Sequence, residues 1–89
     1  MLKRKEVLIK VYRAVRQVIP RKMELQEGHS FVNDLSFDSL RMATLSVALE
    51  GEFDRALLLN DWIAGADNPT GLSIRSLTDY LVKIQEEDG

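Results

Sequence analysis

Cysteine is absent from the 89 residues, which removes a disulfide framework, a thiolate metal site and a cysteine nucleophile at once. Any thiol chemistry has to be imported. Histidine occurs once, at His29, so a histidine metal site or a catalytic relay has no second member, and a solvated loop residue is the expectation. No glycine-rich phosphate loop is present. Asp61 and Asp67 lie in or beside loops without a convincing general-acid partner, and Arg75 and Lys83 read as helix-surface charges. The longest wholly apolar run covers only 56–59, far short of the roughly 20 residues that a membrane-spanning helix needs. The start, Lys3-Arg4-Lys5, is basic, but Lys10, Arg13 and Arg16 interrupt the apolar residues after it. It therefore lacks the core of a signal peptide, and a soluble, cytoplasmic protein is the expectation.

A chain of 89 residues suits one domain, 1–89, and is too short for a deep catalytic cleft beside a second lobe. At about 0.05–0.15 kcal/mol per residue, such a domain is stable by roughly 4–13 kcal/mol. Charge is unevenly placed along it. Residues 1–22 carry eight Lys or Arg against Glu6, a balance of +7, whereas 23–89 carry four basic against thirteen acidic residues, a balance of −9. The basic opening rides on an amphipathic helix and lacks the interleaved aromatics of a stacking surface, so neither nucleic acid nor a membrane is the expected partner. The acidic remainder suits basic partners.

Leu8, Val11, Val15 and Val18 recur at spacings of three, four and three, which predicts a helix over about 3–19 with those residues inward and Lys10, Arg13 and Arg16 outward. Pro20 ends it. The segment 21–37 reads as a loop, yet it contains Phe31, Leu35 and Phe37, apolar residues that predict a loop laid over the core. A second helix is predicted over about 39–53, a short third one over 59–64, and a last one over 73–86 with Ser73 as its cap and Ile74, Leu77, Leu81 and Ile84 inward. The stretch 65–71 is dense with turn formers, and the tail from residue 86 should fray. No run alternates with period two for long enough to demand a strand. The expected fold class is all-α, a bundle of three long helices and one short one.

The second helix has two apolar stripes. Met42, Leu45, Leu49 and Phe53 suit a core contact, and truncation of a buried Phe53 would cost about 3–5 kcal/mol. Leu40, Ala43 and Val47 form the other stripe, which either packs on a further helix or stays available to a partner. At the start of this helix stands Asp34-Leu35-Ser36-Phe37-Asp38-Ser39-Leu40. Asp38 or Ser39 there is most economically a cap for an unpaired backbone N–H. The same position exposes a hydroxyl at the positive end of a helix, which favours an attached phosphate.

At these residues the chain resembles the acyl carrier protein family. The resemblance is carried by Asp38-Ser39-Leu40 with Leu35 and Phe37 before it, by Val47-Ala48-Leu49-Glu50-Gly51-Glu52-Phe53, and by Asp79-Tyr80-Leu81, and it covers about 5–85. It implies a non-enzymatic, acyl-carrier-like bundle in which Ser39 receives covalent 4'-phosphopantetheine from coenzyme A, making the chain a phosphoprotein that carries acyl or aminoacyl groups as thioesters. Asp38 would serve recognition by the phosphopantetheinyl transferase. Leu40, Arg41, Ala43, Thr44, Val47 and Glu50 would meet partners: that transferase, an acyl- or aminoacyl-activating ligase, and synthases or transferases that use the cargo. Leu45, Leu49, Trp62 and Ile63 are candidates for an acyl pocket, and a monomer is expected.

The chain also departs from the family pattern. Arg41 follows Leu40, and Thr44 stands where the family commonly has a carboxylate. Since rim charges chiefly set partner choice and on-rate, a specialised or secondary-metabolite pathway is a better expectation than housekeeping fatty acid synthesis. Trp62, which suits either core filling or the wall of an acyl pocket, and the long 65–71 loop resemble features of specialised-pathway carriers. The alternative is a cofactor-free helical module that binds a partner through the second-helix stripe.

Overall fold

Four helices follow one another among the described residues of the computed structural model, which are 2–19, 22–57, 59–66 and 71–88. They are α1 (Arg4–Val18), α2 (Ser39–Phe53), α3 (Asn60–Ala64) and α4 (Ile74–Asp88), and no strand is present among those residues. The all-α bundle of three long helices and one short one is therefore as expected. Asp67 and most of the 65–71 loop lie outside the described residues.

α1 packs on both α2 and α4, and this double contact changes its inward face. Val7, Val11, Ala14 and Val15 are fully buried, whereas the expected Leu8 and Val18 are half-buried at its margins. A helix wedged between two neighbours buries a broad sector, so small Ala14 can enter it. Ile19 takes an extended conformation at the end of α1, with ψ at 138°, the geometry favoured by a residue that precedes proline.

Arg4 fastens the start of α1 to the rest of the bundle. Its Nη2 donates to Glu27 Oε1 at 2.6 Å and its Nε to Asp79 Oδ1 at 2.8 Å; these hydrogen bonds, Glu27 first, hold the guanidinium pKa above its usual value. Burial likewise pushes the hydroxyls of Tyr12 and Tyr80 above the ordinary 10.0. The folded chain thus favours the neutral phenols. Stability from this source is complete below pH 10.0 and is lost as pH rises through the folded-state values. Tyrosinate absorbance is expected to rise at higher pH in the native chain than in the urea-unfolded chain; coincident titrations would contradict it.

The loop before α2 is laid on the core as its apolar residues predict: Phe31, Leu35 and Phe37 are all buried. Backbone pairing with the entry to α4 holds it there. Phe31 N–H donates to Leu72 O at 2.8 Å, Ile74 N–H to His29 O at 3.1 Å and Arg75 N–H to Glu27 O at 2.8 Å. His29 is not a solvated bystander, because it is half-buried and its Nδ1 accepts from Gln26 N–H at 3.2 Å, closing the turn. Ser73 caps α4 as expected: its Oγ accepts from Ser76 N–H at 3.1 Å, and Ser76 Oγ accepts from Ser73 N–H at 3.0 Å. α4 then continues to Asp88, two residues beyond the expected end.

Phe53 is only half-buried, a correction to its assignment as a full core residue. It is the last residue of α2, and Lys10 Nζ lies 5.6 Å from its ring centroid. The next residue, exposed Asp54, stops the helix in the left-handed region at φ 52°. Glycine reaches that region without the Cβ penalty. Asp54→Gly is therefore expected to stabilise the fold by up to about 1 kcal/mol, read as a higher urea midpoint. An unchanged or lower midpoint would contradict the assignment.

Candidate functional site

The site is built around the start of α2. Ser36 stands at φ 56°, in the left-handed region, and the chain turns there so that Phe37 N–H donates to Phe31 O at 2.7 Å. Phe37 is thereby anchored in the core, with its ring 5.2 Å from that of Phe31. The next residue emerges at the surface. Asp38 Oδ1 accepts from Arg41 N–H at 2.9 Å, and Asp38 O accepts from Met42 N–H at 2.9 Å. Asp38 is thus the cap, and the hydroxyl of exposed Ser39 has no such duty. Among the described residues it makes no hydrogen bond, nor do the backbone N–H groups of Ser39 and Leu40.

Beside Ser39 runs a groove of about 600 Å³. Its α2 wall is Ser39, Met42, Ala43, Ser46 and Glu50, the residues that share one helical face with the hydroxyl. Opposite stand Leu57, Leu59, Asn60 and Ile63 from α3 and the segment before it; Val32, Phe37, Asp38 and Leu72 complete the lining. The wall is mostly apolar. Such a groove can shelter an apolar group tethered nearby, and the free helix start can face a phosphate.

The expected site residues are distributed unequally. Asp38, Ser39, Ala43, Glu50 and Ile63 meet at the groove. Leu40 and Val47 stand out from α2, 74% and 67% exposed, and Ala43 and Thr44 are exposed between them. Arg41 is half-buried. Glu50 is half-buried as well, and its Oε2 accepts from Leu57 N–H at 2.9 Å, so it braces the chain after α2. Of the four pocket candidates only Ile63 lines the groove. Leu45 and Leu49 are fully buried in the core. Trp62 is buried edge-on to Phe31, with ring centroids 5.6 Å apart, and its Nε1 donates to Ser76 Oγ at 3.0 Å. It ties α3 to α4, so its indole N–H is satisfied within the fold.

The groove walls missed by sequence reasoning are Val32, Phe37, Met42, Ser46, Leu57, Leu59, Asn60 and Leu72. For Met42 and Ser46 a signal existed: they lie three and seven residues after Ser39, on its own face of the helix. Among the described residues no cluster of His, Cys, Asp and Glu could hold a metal ion, and no helix is long and apolar enough to cross a membrane. Comparison with protein-family models, with curated proteins and with solved structures finds no significant match to this chain.

Proposed function

We propose that the chain is a carrier protein that holds acyl or aminoacyl groups as thioesters on 4'-phosphopantetheine attached to Ser39 and presents them to partner enzymes. One observation carries this reading: Asp38 performs the capping, which leaves the Ser39 hydroxyl exposed and unengaged at the positive end of α2, beside an apolar groove. The resemblance of Asp38-Ser39-Leu40 to the family motif supports it. The residues suit the group: Ser39 offers the hydroxyl for the phosphodiester, the N–H groups of residues 39 and 40, without a partner among the described residues, face the same end, and the groove starts there. When bound, the group supplies the thiol that the cysteine-free chain lacks. The chain itself contributes position and recognition rather than catalysis, in a cytoplasmic, specialised pathway with its own activating ligase.

Incubation with coenzyme A, magnesium and a broad-specificity phosphopantetheinyl transferase is expected to raise the intact mass by one phosphopantetheine, and Ser39→Ala is expected to block the gain. An unmodified mass beside a modified control carrier would refute the proposal. The exposure of Leu40 and Val47 also suits a cofactor-free interaction module, for which the mass would stay unchanged and partner binding would survive Ser39→Ala.

A further inference from the structure

α2 carries two carboxylates, and both are turned away from its outer face. Glu50 Oε2 accepts from Leu57 N–H at 2.9 Å. Glu52 Oε2 accepts from Gln17 Nε2 at 3.3 Å, with its Oε1 4.0 Å from Arg13 Nη1; both contacts lie on the α1 side. Beyond Ser39 the hydroxyls are spent on the helix's own backbone, Thr44 Oγ1 on Leu40 O at 3.0 Å and Ser46 Oγ on Met42 O at 3.3 Å. Between Asp38, whose Oδ1 holds the helix start, and Glu50, the sole charge is Arg41. What projects is apolar: Leu40 and Val47 are the two most exposed large hydrophobic residues described, 74% and 67%. They are seven residues apart on one helical face, about 10 Å along the axis.

Beyond Asp38 at its start, a cationic surface would find no carboxylate along this face before Glu50, and it would face Arg41 with its own sign. An apolar surface gains from covering Leu40 and Val47, and a carboxylate at its border gains from Arg41. We propose that the partner enzyme docking on α2 presents an apolar socket for Leu40 and Val47, bordered by carboxylates that meet Arg41, and that cationic docking surfaces are disfavoured. This rests on the carrier reading, and it selects the class of enzyme that can load and use the arm.

The test compares two phosphopantetheinyl transferases, one with a basic surface around its coenzyme A site and one with an apolar, acid-bordered surface. With the apolar enzyme, kcat/KM for modification of Ser39 is expected to change less than about twofold between about 0.05 and about 0.3 M NaCl, and to fall about tenfold or more for Leu40→Asp and Val47→Asp. The basic enzyme is expected to be slower on the native chain and to gain about threefold or more from Arg41→Glu. Circular dichroism spectra matching the native chain establish that the variants fold. A basic enzyme that is faster, loses rate with salt and gains nothing from Arg41→Glu would overturn the inference while leaving the carrier reading intact. Modification by neither enzyme, with a control carrier modified by both, would remove both. Sedimentation is expected to show a monomer; a dimer dispersed by Leu40→Asp would assign the face to a second copy and overturn the inference.

Discussion

Phe31→Ala is expected to leave much of the chain unfolded at room temperature, although Phe31 belongs to a loop. Its side chain is fully buried, with the ring of Phe37 tilted at 57° to it and that of Trp62 nearly perpendicular at 87°. Truncating a buried phenylalanine costs about 3–5 kcal/mol, a total that already contains its ring contacts. Set against a total stability of roughly 4–13 kcal/mol, that loss takes the whole margin at the low end and more than a fifth of it at the high end. Phe53→Ala, at a half-buried helix end, is expected to cost about 1–2 kcal/mol, since only part of the ring leaves contact with protein. Urea denaturation of the two variants decides the order. A Phe31→Ala midpoint near that of the native chain, or a larger loss at Phe53, would mean that the loop does not rest on the core.

That contrast marks which parts of the fold are legible in the sequence. The helices are written in local periodicity, and their observed ends fall within two residues of the expected ones. Signals that depend on distant residues are not. The pairing of Phe31 N–H with Leu72 O joins residues 41 apart in the chain, and no spacing rule announces it. The share of α1 that is buried depends on α4 as well as α2, so Val7 and Ala14 replaced Leu8 and Val18 at the centre of the interface. The resemblance implies that Glu50 meets partners, and nothing in its local spacing marks it as a brace. Its role is fixed by Leu57 N–H, which arrives only once the chain turns back after Asp54.

The candidate site divides along the same line. The start of α2 is a local feature, and Asp38 and Ser39 were recognisable from seven consecutive residues. Which of the two forms the cap required coordinates, since either side chain is competent to accept the hydrogen bond. The groove is a non-local feature assembled from α2, α3 and the two long loops. A large aromatic residue near a loop suits either core filling or a pocket wall; Trp62 is buried, donates its N–H to Ser76 and packs on Phe31. Hydrophobicity by itself does not separate a wall from a filling.

The division of labour at the start of α2 yields the sharpest functional expectation. Ser39→Ala should fold like the native chain, because the hydroxyl caps nothing among the described residues and the side chain is exposed. On the proposed carrier function it should nevertheless fail to restore function in a host that depends on the chain, since Ser39 is the proposed attachment point of the arm. Asp38→Ala should cost about 1 kcal/mol through the lost hydrogen bond to Arg41 N–H. Asp38→Asn keeps an oxygen at the cap and should recover most of that stability. If Asp38 also serves the transferase through its charge, the Asn variant will remain slow to load despite its native-like melting curve. Complementation by Ser39→Ala at the native level would leave the groove and the outer face of α2 as the working parts, and would require a function without the arm.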